Sequence, residues 1–181
     1  GFEFYSKLMS KYISKEHNSS VSFVVDNFVY KVDFLCVFSG NYIKNSFDRL
    51  RNYRLLNSLY SKSKLSLFRS GLLDRYGPLP ASSENLINMR LFSLYAVDFC
   101  LSMVAVKGFV VVFSFNNSFK RGLELFKFLS AKGDTFGVDN YKFKDLEHAT
   151  ELSLQLNKDN KVCSKFLLSF MDSFKEYYEK V

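Results

Sequence analysis

The chain has 181 residues, enough for one domain of ordinary size, and 48% of them are hydrophobic, with 21 Phe, 11 Tyr and no Trp. So large an apolar supply argues against a disordered chain and predicts a core that folds without disulfides. The formal net charge of +7 at pH 7 permits acidic partners or nucleic acid.

Targeting signals and cysteine use both indicate a cytoplasmic protein. The first residues lack the basic region and apolar run of a signal peptide, and no segment approaches the ~18 uninterrupted apolar residues of a membrane span. Cys36, Cys100 and Cys163 are far apart and have apolar neighbours. We therefore expect reduced core cysteines and no contact with a membrane.

In the first third of the chain, the spacing of the apolar residues changes twice between helical and strand-like. Phe2, Tyr5 and Met9 recur at helical spacing, which predicts an amphipathic helix over 1–16 and a polar linker to residue 20. Residues 21–25 and 28–34 alternate as strands do. From Ser46, with that serine as the expected N-cap, the helical period returns. A second helix is predicted from about Ser63 to residue 76.

The sequence after residue 76 predicts a sharp stop. Gly77 can adopt a positive φ just past a helix end, whereas Pro78 and Pro80 cannot continue a helix. Gly77, Pro78 and Pro80 are therefore interpreted as structural, and Tyr76 as a core residue. A helix apolar on most sides, which we expect to be central, follows over about 82–99.

The remaining elements complete an α+β pattern. Residues 103–106 and 109–115 are predicted strands joined at Lys107 and Gly108, followed by a helix over 118–132. Short strands are expected around 136–138, 141–143 and 150–156, and a last helix over about 160–179. Without a regular strand-helix alternation, this order favours an antiparallel sheet packed with several helices in one compact domain.

Positive charge is concentrated in residues 44–75, which hold eight basic residues and two acidic ones. One interpretation is a surface for nucleic acid or for an acidic protein partner. The other is an ordinary solvated helical face, since neither regularly spaced aromatics nor a helix-turn-helix signature accompanies the charges. The candidate nucleic-acid contacts are Arg49, Arg51, Arg54, Lys62 and Lys64.

Signatures of catalysis and of metal binding are absent from the sequence. There is no phosphate-binding G-x-x-x-x-G-K-[ST] run and no G-x-S-x-G. His17 and His148 are too few and too isolated for a metal cluster. We expect no catalytic residues, no metal and no cofactor in this chain.

The run from Asp74 to Pro80 reads D-R-Y-G-P-L-P and is followed by E-N-L at 84–86 and R-L at 90–91. It resembles the D-R-[FY]-G-x-L-P signature of the C-terminal domain of bacterial transcription-repair coupling factors. R-L at 49–50 with Y-R at 53–54 is similar to a helix of that family, and G-F-E-F-Y at 1–5 is similar to the end of its translocase module. The resemblance is thin between residues 114 and 165.

The resemblance implies two parts, residues 1–20 from the translocase module and residues 21–181 as a regulatory domain. The domain would be non-catalytic. Its parent would be a DNA translocase that uses ATP and Mg²⁺, displaces stalled RNA polymerase and recruits UvrA for nucleotide excision repair. In the family this domain contacts an N-terminal UvrB-like module and masks its UvrA-binding surface.

The family places acidic side chains on the helix that ends in this motif, where they contact arginines of the UvrB-like module. Asp74 matches one of them, whereas Gly71 stands where the family prefers the other acid. Arg75 and Arg69 complete the candidate partner-binding set. Two alternatives remain open: Asp74 pairs internally with an arginine of the preceding helix, or the chain is an accessory, weak and non-specific DNA-binding module that uses residues 44–75.

Overall fold

A six-stranded sheet is the framework of the computed structural model, which describes residues 21–25 and 28–180. The predicted helix and linker at 1–20 lie outside the described residues. The strands are β1 (Val21–Val25), β2 (Phe28–Val32), β3 (Leu101–Lys107), β4 (Val110–Asn116), β5 (Val138–Leu146) and β6 (Ala149–Leu156), in the order β1-β2-β3-β4-β6-β5. The helices are α1 (Ser46–Asn57), α2 (Lys62–Tyr76), α3 (Ala81–Asp98), α4 (Gly122–Lys132) and α5 (Ser164–Glu179).

The sheet is mixed. The β1–β2, β3–β4, β4–β6 and β5–β6 pairs are antiparallel, whereas β2 pairs with β3 in parallel, with Val29 opposite Met103. The predicted α+β class is confirmed, and the expectation of an antiparallel sheet needs this one correction. Its cause is the long connection through α1, α2 and α3, because a crossover of this length can return a strand in the same direction.

Side-chain caps explain where the first two helices begin. Asn45, rather than the predicted Ser46, is the N-cap of α1, and its side chain accepts hydrogen bonds from the amides of Phe47 and Asp48 at 2.8 and 3.2 Å. Ser61 caps α2 by accepting from the amide of Lys64 at 3.3 Å. Each cap satisfies donors that the first helical turn leaves unpaired.

Several element boundaries in the second half differ from the sequence prediction. Helix α4 begins at Gly122 rather than at residue 118, because Asn116 closes a turn and Phe119 stacks on Phe115 with ring centroids 4.1 Å apart. Helix α5 begins at Ser164 rather than at residue 160, because the side chain of Asn160 bonds back to Asn157 at 2.9 Å. A 3-10 turn over Gly133–Phe136 replaces the start of the strand predicted around 136–138, and the two short strands predicted around 136–138 and 141–143 are one strand, β5.

Aromatic rings join the helices to one face of the sheet. Phe113 of β4 contacts Phe92 of α3 at 6.4 Å and stacks on Phe170 of α5 at 5.4 Å. Phe128 of α4 meets Phe170 edge-on at 5.4 Å. All four rings are fully buried. These rings therefore connect three helices to the sheet by apolar burial and by stacked and edge-on contacts.

Polar contacts then fix α3 relative to α5. The Tyr95 hydroxyl donates a hydrogen bond to the carboxylate of Asp172. Farther along, Ser164 accepts from Asn88 at 3.1 Å and donates to Asn85 at 2.7 Å. The central helix predicted from the sequence is therefore the element to which both the sheet and the last helix attach.

Cys36 is buried and unpaired, and burial raises the pKa of its thiol to about 12. Cys100 and Cys163 are free and only partly buried, so the expectation of core cysteines fits Cys36 best. In the described part of the chain, no helix has the length and apolar character needed to span a bilayer.

The Tyr95–Asp172 contact predicts a defined loss of stability. Replacing Tyr95 with Phe should lower the free energy of unfolding by about 1–3 kcal/mol at pH 7, because a partly buried hydrogen bond to a charged group is lost. Burial, together with the bond to Asp172, raises the pKa of Tyr95. The hydrogen bond needs the neutral phenol, so its contribution to stability is complete below ~10, the pKa that a tyrosine has in the unfolded chain. The contribution declines as the pH rises further.

Urea unfolding from pH 7 to about 10.5 measures both effects. The variant should lose stability at pH 7 and show a shallower alkaline decline than the parent chain. Tyr60→Phe, on a tyrosine 65% exposed, is the matched control and should change neither quantity much. An unaltered unfolding midpoint at pH 7 for Tyr95→Phe would show that this bond does not stabilise the α3–α5 contact.

Candidate interaction surface

The turn between α2 and α3 has a backbone conformation that only glycine adopts easily. Gly77 has φ +82° and ψ −164°, and its amide donates to the Leu73 carbonyl at 2.9 Å. The positive φ agrees with the sequence prediction, although this ψ lies far from the left-handed helical value. Pro80 then caps α3, and its carbonyl accepts from the amides of Ser83 and Glu84 at 2.9 and 3.0 Å.

Tyr42 holds the end of α2 in place. Its hydroxyl lies 3.2 Å from the Leu72 carbonyl oxygen and 3.1 Å from that of Gly77, so its proton can be donated to either. The ring meets Tyr76 edge-on at 5.8 Å. Burial, followed by the nearby Tyr76 and Glu84, raises the pKa of Tyr42. The hydroxyl thereby connects the last turn of this helix to the Gly77 carbonyl just past its end. Sequence reasoning missed Tyr42, since its hydrogen-bond partners lie 30 and 35 positions away.

Arg69 is engaged within the domain. Its Nε donates to Oε2 of Glu84 at 3.1 Å, and a second guanidinium nitrogen bonds to Oε1 of the same carboxylate. This hydrogen bond and the charge of Glu84 raise the pKa of Arg69. The fork-shaped pair ties α2 to the first turn of α3, where a carboxylate is also favoured by the helix dipole. Arg69 was predicted to contact a partner, and the structure places it across this internal junction.

Asp74 and Arg75 are both exposed at the end of α2. Within residues 28–180 Asp74 forms no ion pair, so the alternative in which it pairs with Arg51 or Arg54 is not realised in the structure. Neighbours on a helix point about 100° apart. Arg75 therefore lines the groove between α1 and α2, whereas Asp74 does not.

The groove between α1 and α2 has a volume of about 410 Å³. Its buried part includes Phe68 and Leu72, and its exposed apolar part includes Leu55 and Leu67, which are 46% and 73% exposed. The full lining is Arg51, Asn52, Leu55, Leu59, Lys64, Leu67, Phe68, Gly71, Leu72, Arg75 and Tyr76. No carboxylate is among these residues. The volume lies in the range of ordinary ligand sites.

The candidate nucleic-acid residues do not share one setting. Arg51 and Lys64 line the groove, whereas Arg54 and Lys62 are exposed outside its lining. Arg49 donates to the carbonyls of residues 43 and 44 at 2.7 and 2.9 Å and so holds the loop before α1. The structure thus brings together only part of the predicted basic surface.

Arg90 has a structural role that the sequence did not reveal. It is 3% exposed, and it donates to the Leu59 carbonyl from Nε at 3.1 Å and from a terminal nitrogen at 2.9 Å. It also bonds to Ser93 at 3.1 Å and lies 4.7 Å from the ring centroid of Tyr60. A buried guanidinium needs such partners to offset its desolvation. Arg90 therefore fixes the connection between α1 and α2 on α3.

Within residues 28–180 no three side chains of His, Cys, Asp or Glu come together as a metal site would require. The exposed features of this region are instead a groove and charged side chains, among them Asp74, Arg51 and Lys64, that form no ion pair within residues 28–180. The part of the molecule around α1, α2 and the following turn is therefore suited to contact with another macromolecule.

Comparisons with known proteins point to one family. The model of the TRCF domain family matches residues 32–124, just over half of the chain, which hold α1, α2, α3, β3 and β4. A structure titled "Crystal structure of C-terminal domain of transcription-repair coupling factor" aligns with a TM-score of 0.66 and 18% identity. The alignment covers 83% of this chain and 94% of that one. No curated protein matches.

Substitutions at two glycines of the same region should change the stability of the domain in opposite directions. Gly77→Val should lower the free energy of unfolding by about 1–3 kcal/mol, because its φ of +82° is strained for any residue with a Cβ atom. Gly71 lies inside α2, and a Cβ built there meets nothing within 4 Å. Gly71→Ala should therefore raise stability by about 0.5–1 kcal/mol. Thermal and urea unfolding of both variants tests this, and equal stability of Gly77→Val and the parent chain would refute a glycine-only turn.

Proposed function

This chain belongs to the TRCF domain family, and we propose that it is the regulatory C-terminal domain of a transcription-repair coupling factor. The family indicated by the motif at residues 74–80 is thereby confirmed, and the domain belongs with proteins of DNA repair. We further propose that the parent is a cytoplasmic DNA translocase whose motor binds ATP and Mg²⁺ outside this chain, displaces stalled RNA polymerase and recruits UvrA.

We propose that the domain contacts an N-terminal UvrB-like module of the same protein and covers the surface that binds UvrA. The supporting observation is Asp74, an exposed carboxylate without an ion pair in the described part of the chain. It lies in the last turn of α2, where the helix dipole disfavours negative charge. An arginine of the UvrB-like module would supply the compensating charge that the domain does not.

The surroundings of Asp74 suit it to such a contact. Gly77 and Tyr42 fix the end of α2, and the Arg69–Glu84 pair fixes α2 on α3. A carboxylate held on a rigid element loses little entropy on binding, so more of the interaction energy appears as affinity. With Gly71 in place of the second acid, however, the contact has one carboxylate on this helix. We therefore propose a weaker autoinhibitory contact than a fully acidic helix would form.

A second candidate function, non-specific DNA binding, is supported by three exposed cations. Arg51, Lys62 and Lys64 form no ion pair in the described residues. Phosphate contact needs only such charges, and it gives weak, salt-dependent affinity. Arg51 and Lys64 line the groove, and its lining has no exposed aromatic ring on which a base could stack, which favours the first function over this one.

The autoinhibitory proposal is tested by charge reversal in the full-length parent. Asp74→Arg should raise the ATPase rate and UvrA binding, because attraction to an arginine becomes repulsion. The same substitution in the 181-residue chain should alter stability by less than about 0.5 kcal/mol, since no internal pair is lost. Asp159→Arg, at an exposed aspartate in the loop before α5, is the control with the same charge change. Unchanged ATPase and UvrA binding in Asp74→Arg would remove this residue from the contact.

The DNA alternative predicts a different outcome for a different measurement. We expect the 181-residue chain to bind a labelled duplex with a dissociation constant on the order of 10⁻⁴–10⁻⁶ M at physiological salt, and more weakly as salt rises. Fluorescence anisotropy at several salt concentrations measures this. Nanomolar binding that persists at high salt would instead establish a DNA-binding module.

A further inference from the structure

The groove between α1 and α2 has an unbalanced charge. Arg51, Lys64 and Arg75 line it and are exposed, and no acidic residue is in its lining. None of the three forms an ion pair within residues 28–180. Like charges around one concave surface raise the local potential and attract an oppositely charged partner.

The same groove exposes apolar surface. Leu67 and Leu55 are exposed on opposite walls, while Phe68 and Leu72 are buried beneath them. Exposed apolar surface that adjoins charge is typical of sites where proteins bind one another. Tyr76 also lines this groove; its hydroxyl is inaccessible to solvent and has no hydrogen-bond partner in the described residues.

We propose that this groove binds an acidic amphipathic segment of a protein partner. A bulky apolar side chain of that segment would cover Leu55 and Leu67. Its carboxylates would pair with the basic side chains that line the groove. Such a segment satisfies both properties of the surface at once, because it buries the leucines and neutralises the cations.

A protein segment fits these observations better than nucleic acid does. DNA phosphates would neutralise the three cations but would leave the leucines in water. Bound single strands normally stack their bases on exposed aromatic rings. The groove offers no such platform, because Phe68 is 9% exposed and Tyr76 packs against Tyr42.

This site is separate from the autoinhibitory contact proposed above. Asp74 is not among the groove residues and would attract an arginine, whereas the groove would attract carboxylates. Gly71 lies between the two: it lines the groove, and a Cβ placed on it meets no atom within 4 Å. A glutamate at this position would reach into the open groove and oppose its charge.

The test uses a fluorescein-labelled helical peptide of about 15 residues with Leu at three- and four-residue spacing and Glu between. Fluorescence anisotropy with the 181-residue chain should show saturable binding. A peptide with Lys in place of Glu, and another with Ala in place of Leu, should each bind at least about tenfold more weakly. Failure of the acidic peptide to bind saturably, or equal binding of either control peptide, would overturn the proposal.

Variants locate the binding on the chain. Lys64→Glu and Arg75→Glu should each weaken the acidic peptide at least about tenfold. Lys127→Glu carries the same charge change on the exposed side of α4 and should leave the affinity within about twofold. Thermal unfolding shows whether each variant is folded, and the two control peptides test the proposal without any substitution. Equal affinities of Lys64→Glu and Lys127→Glu would place the peptide elsewhere.

Gly71 separates this proposal from the autoinhibitory one. Gly71→Glu should weaken the acidic peptide at least about tenfold, whereas Gly71→Ala should leave more than half of the affinity. In the full-length parent, Gly71→Glu should strengthen the contact with the UvrB-like module and so lower ATPase activity. Loss of peptide binding with unchanged ATPase would sink the autoinhibitory contact alone; retained peptide binding in Gly71→Glu would sink the groove proposal alone. If a DNA duplex competes with the peptide, binds more tightly than the peptide and loses affinity in Lys64→Glu, the partner of the groove would be nucleic acid rather than protein.

Discussion

The packing of α3 on the sheet is the constraint on which the rest of the molecule depends. Phe92 is buried between Phe28 and Phe113, with ring centroids 5.7 and 6.4 Å away, and so fixes the helix on β2 and β4. From this fixed helix, Arg90 reaches back to the connection between α1 and α2, and Glu84 holds α2. The outer helices are therefore positioned by polar contacts to a helix whose own position comes from aromatic burial. The positions of α1 and α2 at the surface therefore depend on the packing of α3 in the core.

That arrangement also explains why an open groove exists. Helices α1 and α2 both pack against α3, and the space between them is left as a groove of about 410 Å³. Two adjacent helices usually close such a space with interlocking side chains. Here Gly71 contributes no side chain to it, and Leu67 extends into solvent. A glycine inside a helix also lowers the stability of that helix, so the residue that leaves the groove open destabilises α2.

Patterns of residues close together in the sequence predicted much of the fold. The elements that were predicted wrongly depend on contacts between residues far apart in the sequence. The end of α2 at Gly77 and the hairpin at Gly108 follow from residue chemistry within a few positions. The parallel β2–β3 pair could not be predicted this way, since about seventy residues separate the two strands. Helix α4 starts late because Phe119 stacks on Phe115. The sequence located Asp74 and the basic residues, but it did not reveal the contacts of Tyr42 or Arg90, whose partners are distant.

The charge pattern of α2 links the family resemblance to the groove. A helix with acids at positions 71 and 74 would present two carboxylates to a basic partner, and the acid at 71 would also offset the cations of the groove. Glycine at 71 removes one carboxylate from the first surface and leaves Arg51, Lys64 and Arg75 unopposed on the second. Electrostatic complementarity affects which partner binds more than it affects how tightly that partner binds. One missing carboxylate therefore changes which partners the helix favours. The same residue therefore weakens one proposed contact and makes the other possible.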